Sequence, residues 1–319
     1  MKTPRFWYRP PGFLSTLCAP LSLVYAAGRW IDVALSRPQA FARPVICIGN
    51  GVVGGAGKTP TTMALARLLQ ENGFAPHIVS RGYGGSAKAP HRLQVNDTAD
   101  KVGDEPLLLA TVAPTWVSKN RGLGIGCAFA AGAELVLLDD GLQNTSVKAQ
   151  VNIMVVDGAS GFGNGQLMPA GPLREFPIEL AARIDALVVI GDDTQKIAAQ
   201  FPGKPVFSAR RQFSQLDASK KYAAFAGLAR PDNFFDSAQA QGAALVDTKS
   251  FADHYFYSTG TREKLRQWAA GLGAQLLTTA KDAMRWPANE RAALEILDMQ
   301  IVFDEPQAML TFIRERTHD

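Results

Sequence analysis

The glycine-rich segment at residues 50–59 constrains the fold of this chain more than any other feature. An apolar run at residues 45–48 breaks into glycines and ends in Gly57-Lys58-Thr59 ahead of a helix-like stretch. Glycines let successive backbone N–H groups turn toward phosphate oxygens, the lysine reaches the β- and γ-phosphates, and the threonine hydroxyl binds Mg²⁺. The pattern predicts a nucleoside triphosphate site with the cofactor-binding residues Val53, Gly54, Gly55, Ala56, Gly57, Lys58 and Thr59.

The loop departs from the strict pattern G-x-x-x-x-G-K-[ST], because Val52 occupies the first glycine position. The remaining Gly-Gly-x-Gly-Lys-Thr is closer to the deviant phosphate loops of the family that includes partition ATPases, although Val53 replaces the extra lysine of those loops. The alternative is a glycine-rich turn that only connects a strand to a helix. The strand–loop–helix context favours phosphate binding.

A second acidic feature follows the apolar residues 135–138, where Asp139 and Asp140 occur in succession. Four large apolar residues ahead of carboxylates are typical of a central parallel strand whose carboxyl end faces the ligand crevice. We expect Asp139 to hold the metal ion of the nucleotide, directly or through water. The alternative is that the paired aspartates are only turn or helix N-cap residues.

Length and composition indicate an enzyme of two domains. The chain has 319 residues, of which 47% are hydrophobic and 19% charged, so it can bury more core than one compact domain usually holds. The net charge of +4 suits nucleic acid, an anionic membrane or a phosphorylated substrate and does not choose among them. The three cysteines lack metal-ligand spacing and indicate reduced thiols without a zinc site.

Apolar, β-branched runs alternate with helix-like stretches along the chain. This alternation predicts an α/β fold with a P-loop-type, mostly parallel sheet and helices on both faces, followed by a second, smaller α/β domain. We expect an N-terminal segment at residues 1–35, a P-loop nucleotide-binding domain at 36–215 and the smaller domain at 216–319, which contributes to the active-site cleft. The predicted strands are 44–50, 77–81, 116–118, 135–139, 153–157, 187–190 and 206–208 in the first set, and 222–227, 244–247, 275–279 and 300–303 in the second.

The N-terminal segment is apolar and flanked by basic residues, with no charge between Pro10 and Gly28. A signal peptide fits the basic start, but export would separate the nucleotide site from its ATP. A membrane-spanning helix is weakened by the prolines and small polar residues in barely sufficient length. We favour an amphipathic helix that lies at a membrane interface, although the same apolar face would also suit packing on the protein's own core. The face comprises Leu14, Leu17, Leu21 and Val24, joined by Phe13 and Tyr25.

Three further groups carry polar chemistry. Arg81 and Tyr83 lie in a glycine-rich loop after a predicted strand, and offer a cation and a phenol to a polar ligand or only to solvent. Asp104 and Glu105 precede a helix, where Asp104 can accept a proton from an attacking hydroxyl and Glu105 can assist Mg²⁺, or both only complement the helix dipole. His254 follows an aspartate in the second domain and is either functional or structural.

Taken together, these motifs resemble the tetraacyldisaccharide 4'-kinase family, also called lipid A 4'-kinases. The resemblance spans nearly the whole chain, and the order of its blocks is more specific than any one of them. The blocks are Val53-Gly54-Gly55-Ala56-Gly57-Lys58-Thr59-Pro60, Ser80-Arg81-Gly82-Tyr83-Gly84, Val102-Gly103-Asp104-Glu105-Pro106, Asp139-Asp140-Gly141-Leu142-Gln143, Pro169-Ala170-Gly171-Pro172-Leu173-Arg174-Glu175, Asp253-His254 and Thr278-Thr279-Ala280-Lys281-Asp282.

The resemblance implies transfer of the γ-phosphate of ATP to the 4'-hydroxyl of a tetraacyldisaccharide 1-phosphate, at the cytoplasmic face of the bacterial inner membrane. It implies that Asp104 activates the acceptor hydroxyl, that His254 orients it from the second domain, and that Arg121 contacts the γ-phosphate. The resemblance also implies that Lys58 takes part in catalysis and that Mg²⁺ lies near Thr59, Glu105 and Asp139. The implied glycolipid-binding residues are Arg81, Tyr83, Gln143 and Arg174.

The chain departs from the family pattern at two positions. Asn144 stands where the family usually has a histidine, and an amide cannot titrate near neutral pH. Ala280 stands where a glutamate is expected beside Lys281. Neither change touches the phosphate loop, Asp104 or His254, so we expect activity to survive, with substrate detail left open.

A second class of function also fits the loop, namely a membrane-tethered regulatory P-loop ATPase. Such a switch needs neither the arginines suited to a sugar phosphate nor an Asp/His pair across two domains. We expect no nucleic-acid partner, because the basic residues are dispersed without an aromatic stripe. We expect a monomer bound peripherally to the membrane. Acyl-chain preference, assembly and insertion depth are not encoded in these patterns.

Overall fold

The computed structural model describes residues 4–317, so residues 1–3 and 318–319 of the predicted segments lie outside it. The strands are β1 Val45–Gly49, β2 Pro76–Ser80, β3 His91–Arg92, β4 Thr115–Val117, β5 Leu135–Asp139, β6 Val151–Asp157, β7 Ala186–Ile190, β8 Val206–Phe213, β9 Lys221–Ala226, β10 Ala244–Ser250, β11 Gln275–Thr279, β12 Glu295–Leu297 and β13 Met299–Phe303. The helices are α1 Phe13–Leu35, α2 Lys58–Glu71, α3 Ala99–Val102, α4 Asp104–Leu109, α5 Arg121–Ala130, α6 Pro177–Arg183, α7 Pro231–Ala240, α8 Thr259–Gly271, α9 Ala280–Ala283, α10 Ala288–Arg291 and α11 Pro306–Thr317.

A nine-stranded sheet forms the larger unit, in the order β13-β8-β7-β6-β1-β5-β2-β4-β3. Its strands are parallel except at the two edges, where β13 pairs antiparallel with β8 and β3 with β4. β1 lies at the centre, between β5 and β6, and Ile48 pairs with Asp139. This register brings the end of β1, where the glycine loop begins, beside the acidic end of β5.

Hydrophobic layers cover both faces of this sheet. Ile46 and Ile48 of β1 belong to one buried cluster with apolar residues of α2 and α11. Val45 and Cys47, which alternate with them, belong to a second cluster with residues of α5 and α6. All four β1 side chains are at most 2% exposed, which is the burial expected for a central parallel strand. The prediction of a mostly parallel sheet with helices on both faces is confirmed.

A second, four-stranded sheet has the order β10-β9-β11-β12 and is parallel throughout. It contains three of the four strands predicted for the second set. The fourth, predicted at 300–303, lies instead in the large sheet as β13, so its assignment to the second set was wrong. The reason is apolar burial, because Ile301, Phe303 and the buried face of α11 complete the hydrophobic cluster of the large sheet.

Helix α1 is amphipathic, but it buries small polar side chains and exposes large apolar ones. Its buried residues are the small polar Ser15 and Ser22, and the Ser22 hydroxyl donates to the carbonyl of Leu167 at 2.9 Å. The predicted alternative that its apolar face packs on the protein's own core is wrong, because that face is exposed. Large apolar side chains that are at least half exposed form this bare face, namely Phe13, Leu14, Leu17, Leu21, Leu23, Val24, Trp30, Ile31 and Leu35.

Tyr25 does not belong to the bare face, contrary to the sequence prediction, because its hydroxyl donates to the carbonyl of Arg174 at 3.1 Å. Arg29, one turn further along, forms an ion pair with the buried Glu175 at 3.2 Å. Polar contacts therefore fix α1 to the large unit and leave its apolar residues outward. None of the helices within residues 4–317 combines the length and apolarity needed to cross a bilayer.

Candidate active site

The predicted phosphate loop connects β1 to α2 and ends at the first helical residue, Lys58. Gly57 occupies the N-cap position with φ at 85°, a left-handed conformation that favours glycine. A Cβ at Gly57 would also lie 2.5 Å from the side chain of Ile190. Both observations require glycine here, and they place the N-terminus of a 14-residue helix at the carboxyl end of the sheet. That position is favourable for phosphate.

The Lys58 ammonium group lies within the site rather than in solvent. Its Nζ donates to Asn50 Oδ1 at 3.1 Å and lies 3.5 Å from Asp140 Oδ1. The Asn50 Nδ2 atom is buried and has no hydrogen-bond partner among the described residues. The loop thus presents a cation and an unpaired amide donor, which are two groups that phosphate oxygens satisfy.

Asp139 ends β5 beside this loop and is 1% exposed. Its Oδ1 accepts from Thr62 Oγ1 at 2.9 Å, and its Oδ2 lies 3.5 Å from Thr59 Oγ1. Burial raises the pKa of Asp139 to about 7, and the nearby carboxylates of Glu105 and Asp140 act in the same direction. The hydrogen bond from Thr62 and the charge of Lys58, which lower this pKa, are therefore outweighed.

Arg121 begins α5 and is also buried, at 4% exposure. Its Nη1 donates to the carbonyl of Ser118 at 3.2 Å, while its Nε has no partner among residues 4–317. Burial lowers the pKa of Arg121, and the charges of Asp139 and Asp140 oppose that shift. The guanidinium therefore lies near the acidic end of β5, and its buried Nε–H is available to a ligand.

Asp104 and His254 meet although 150 positions separate them. Asp104 is the first residue of α4 in the large unit, and His254 lies in the loop between β10 and α8 of the small one. The distance between His254 Nδ1 and Asp104 Oδ2 is 3.0 Å. The backbone of His254 has φ at 57°, an uncommon value outside glycine that recurs at functional sites.

Lys281 from the start of α9 joins this pair. Its Nζ donates to Glu105 Oε1 at 3.0 Å and lies 3.4 Å from His254 Nε2. Burial alone would raise the pKa of Asp104, but the His254 hydrogen bond and the charges of Lys281 and Arg285 outweigh it and hold that pKa well below its usual range. Three basic groups of the small unit thus keep Asp104 ionised.

Gln143 and Arg174, which the sequence predicts near a glycolipid, lie in contact beside the phosphate loop. Arg174 Nη1 donates to Gln143 Oε1 at 2.9 Å and lies 3.3 Å from Asp140 Oδ1. Gln143 Nε2 donates to the carbonyl of Asn50 at 2.9 Å. Gln143 Nε2 also donates to Glu175 Oε1, and Glu175 forms the ion pair with Arg29 of α1.

Arg81 and Tyr83, the other two predicted glycolipid residues, follow β2 on the Asp104 side. Both side chains are exposed, Tyr83 at 71%, and its ring lies 5.7 Å from that of His254. Gln143 and Arg174 therefore lie beside Lys58 and α1, and Tyr83 lies beside His254, while the charge of Arg81 acts on Arg121.

The two departures from the family pattern have local structural roles. Asn144 Oδ1 accepts from the backbone and hydroxyl of Ser146, at 3.1 and 2.9 Å, and so shapes a turn. Ala280 begins α9 directly after Thr279, whose side chain caps that helix. Neither residue hydrogen-bonds through its side chain to Asp104, His254 or Lys58 among the described contacts.

Sequence reasoning missed several members of this site. Lys281 and Asp140 lie within the motif blocks, but no function was predicted for them. No function was predicted for Asn50 or Arg285 either. A signal existed for Lys281, since a basic residue inside a motif block of a phosphate-binding protein is a candidate for charge pairing. No sequence pattern places Arg285 next to Asp104, because that contact joins positions 181 residues apart.

Comparison with known proteins gives consistent matches. A family model described as tetraacyldisaccharide-1-P 4'-kinase matches residues 14–318. A tetraacyldisaccharide 4'-kinase of Rhodospirillum rubrum is 42% identical over 98% of this chain and 97% of its own length. The corresponding protein of Paramagnetospirillum magneticum is 44% identical over 99% and 98%. The crystal structure of LpxK from Aquifex aeolicus in complex with ATP superposes with a TM-score of 0.79 at 27% identity, covering 96% of this chain and all of that one.

Proposed function

The chain belongs to the tetraacyldisaccharide-1-P 4'-kinase family, and on that premise we propose that it transfers the γ-phosphate of ATP to the 4'-hydroxyl of a tetraacyldisaccharide 1-phosphate in lipid A biosynthesis. The resemblance noted in the sequence is thereby confirmed. The observation that best supports the chemistry is the hydrogen bond between His254 and Asp104, whose neighbour Glu105 acts electrostatically on Asp139 beside the phosphate loop. Phosphoryl transfer depends on such positioning more than on covalent chemistry.

On the donor side, the backbone amides of residues 53–59 hold the phosphates of ATP. Lys58 exchanges its contacts with Asn50 and Asp140 for phosphate oxygens, and Arg121 directs its unpaired Nε at the γ-phosphate. Both cations stabilise charge that develops during transfer. The buried donors Asn50 Nδ2 and Arg121 Nε, which lack partners among the described residues, support this assignment.

Mg²⁺ fits the donor side as an ion shared with the nucleotide. No cluster of three or more His, Cys, Asp or Glu side chains suited to a metal occurs among residues 4–317. Mg²⁺ in kinases is held by one or two carboxylates together with phosphate oxygens and water, so such a cluster is not required. Asp139 and Thr59, with Glu105 nearby, are the residues that would hold it, and the raised pKa of Asp139 is consistent with a carboxylate that needs a cation. The ion would neutralise phosphate charge.

On the acceptor side, Asp104 removes the proton of the 4'-hydroxyl as its oxygen attacks the γ-phosphorus and the bond to the β-phosphate oxygen breaks. ADP leaves, and the proton stays on the carboxyl group until solvent accepts it. His254 orients Asp104 through the 3.0 Å contact. The glycolipid is bound by Arg81 and Tyr83 near the reacting hydroxyl and by Gln143 and Arg174 toward α1, where an arginine suits the 1-phosphate.

The bare face of α1 gives the enzyme access to a substrate that resides in a bilayer. We assign this face to the cytoplasmic surface of the inner membrane, with the enzyme acting as a peripheral monomer. Shallow insertion of about five such side chains contributes on the order of 5 kcal/mol. Contacts of α1 connect this membrane-binding face to the site. Arg29 of α1 pairs with Glu175, and Tyr25 of α1 donates to the carbonyl of Arg174, whose side chain lies beside Lys58.

The function is tested with labelled ATP and purified protein, with and without a tetraacyldisaccharide 1-phosphate. We expect label in the lipid and little release of inorganic phosphate when the acceptor is absent. Release that does not depend on acceptor, with no labelled lipid, would instead identify the regulatory ATPase. Lys58→Met serves as the control for contaminating kinases.

Membrane binding is tested by cosedimentation with phosphatidylethanolamine/phosphatidylglycerol vesicles. The double variant Leu17→Glu/Leu21→Glu places two charges on exposed positions of α1, and we expect it to remain in the supernatant. The matched control Gln267→Glu/Ala270→Glu adds the same charge to exposed positions of α8. Equal sedimentation of the two variants would remove α1 from this role.

A further inference from the structure

We infer that Arg285 is a positioning residue for phosphoryl transfer, which holds Asp104 Oδ2 and leaves Asp104 Oδ1 as the oxygen that takes the acceptor proton. This inference rests on the proposed function. It assigns a role to a buried arginine of the small unit that does not itself contact the phosphate loop.

The contact between Arg285 and Asp104 is an ion pair between two buried side chains. Each side chain is 4% exposed. Arg285 Nε donates to Asp104 Oδ2 at 2.7 Å, and Arg285 Nη2 lies 2.5 Å from the same oxygen. Removing one partner of such a pair leaves an uncompensated buried charge, so the pair is a strong constraint on both side chains.

The other edge of the Arg285 guanidinium is fixed within the small unit. Its Nη1 donates to the carbonyl of Gly227 at 3.0 Å and to Asp282 Oδ1 at 2.8 Å. Asp282 is held in turn by the Tyr257 hydroxyl at 2.8 Å, the Gly227 amide at 3.0 Å and the Thr279 hydroxyl at 2.8 Å. Arg285 is therefore a rigid connector between the end of β9 and the first residue of α4.

Counting hydrogen bonds distinguishes the two oxygens of Asp104. Oδ2 faces Arg285 and His254 together, which occupies both of its acceptor positions. Oδ1 accepts a hydrogen bond from the backbone N–H of Glu105 at 2.9 Å, and no other hydrogen bond to Oδ1 occurs among the described residues. Since a carboxylate oxygen accepts two hydrogen bonds, Oδ1 retains one position for the substrate hydroxyl.

An arginine suits this task better than a lysine because its donors form a planar fork. Nε and Nη2 address Asp104 while Nη1 addresses Gly227 and Asp282. A lysine ammonium is a single point and cannot hold both sides with the same geometry. The guanidinium therefore fixes Oδ2, and with the Glu105 amide on Oδ1 the carboxylate is held at both oxygens.

The test compares Arg285→Ala and Arg285→Lys with wild type in lipid phosphorylation, with kcat and the KM for ATP measured separately. We expect Arg285→Ala to lower kcat about 100-fold with the KM for ATP within about threefold, because misplacing a catalytic group by about 1 Å has that effect. Arg285→Lys should lose about tenfold, since it keeps charge without the fork. Ethylguanidinium added at millimolar concentration should restore part of the kcat of Arg285→Ala only.

Arg262→Ala is the matched control. Arg262 is another arginine of the small unit with 8% exposure, and it pairs with Glu290 at 2.9 Å rather than with Asp104. We expect it to lower thermal stability while kcat stays within about threefold of wild type. A kcat loss in Arg262→Ala equal to that in Arg285→Ala would overturn the inference.

Gly227→Ala keeps the inference testable if Arg285→Ala fails to fold. A Cβ at Gly227 would lie 2.9 Å from Arg285 Nη1 and 2.9 Å from Asp282 Oδ1, so the arginine must shift although Asp104 is untouched. We expect kcat to fall about tenfold. Wild-type kcat in Gly227→Ala, or in a folded Arg285→Ala, would overturn the inference. Absence of lipid phosphorylation by wild type and Arg262→Ala alike would instead contradict the proposed function.

Discussion

Two buried aspartates, Asp139 and Asp104, stand at opposite sides of the site and have opposite electrostatics. Asp139 faces hydroxyl groups and other carboxylates, and burial raises its pKa to about 7. Asp104 faces His254, Lys281 and Arg285, and its pKa lies well below the usual range despite its burial. The cations of the donor side thus do not compensate for the burial of Asp139, whereas the basic groups of the small unit do compensate for the burial of Asp104.

The acceptor side should show the largest effect of a single substitution. Asp104→Asn keeps the shape and removes the base, so we expect kcat for lipid phosphorylation to fall about 10³-fold. Nucleotide affinity, measured by calorimetry, should be unchanged because the phosphate loop is intact. The control Asp100→Asn, an exposed residue of α3, should leave both quantities as in wild type. A near-wild-type rate in Asp104→Asn would remove that residue from its role.

Lys58→Met tests the donor side in the same two assays. We expect nucleotide affinity and kcat to fall together, kcat by about 10²-fold, because the lysine contacts phosphate in the ground state and contacts it more strongly as charge develops in the transition state. The contrast with Asp104→Asn, where only kcat falls, would establish that the two sides act separately. Lys264→Met on exposed α8 is the control. Unaltered nucleotide binding by Lys58→Met would contradict the assignment of the loop.

The donor side was the more predictable from sequence because its groups are close along the chain. Gly57, Lys58 and Thr59 are consecutive, and the apolar residues before Asp139 identify the strand that lies beside them. The contact of His254 with Asp104 came from family resemblance, since no periodicity relates residues 150 positions apart. Arg285 could not be found in that way, because its role depends on where α9 packs against α4. Strand β13 was misassigned for a similar reason, since its partner β8 is chosen by apolar burial rather than by chain order.

The pH dependence of stability sharpens the electrostatic contrast. Above pH 5 the unfolded chain has lost the proton of Asp139, whereas the folded protein keeps it up to about pH 7, so the free energy of unfolding should decrease from pH 5 and level off by pH 8. Relative to Asp139→Asn, we expect wild type to lose roughly 2–3 kcal/mol over this range, as measured by urea unfolding without nucleotide. Saturating Mg²⁺ and ATP should abolish the difference, because Mg²⁺ next to Asp139 favours the ionised carboxylate. A constant difference across pH would show that Asp139 is ionised throughout.

The smallest effect concerns Lys281, which acts on Asp104 through its charge, whereas His254 and Arg285 hydrogen-bond to Asp104 directly. Its Nζ contacts Glu105 at 3.0 Å, and a hydrogen bond between charged groups contributes about 1.5–3 kcal/mol. Lys281→Met should therefore lower kcat about tenfold without a change in nucleotide affinity. Lys220→Met, which removes a lysine of the small unit that pairs with Glu295 and not with Asp104 or Glu105, should leave kcat unchanged. If Lys281→Met weakens nucleotide binding instead, then Lys281 and its partner Glu105 serve the donor side. The donor and acceptor sides would then not be separate at Glu105.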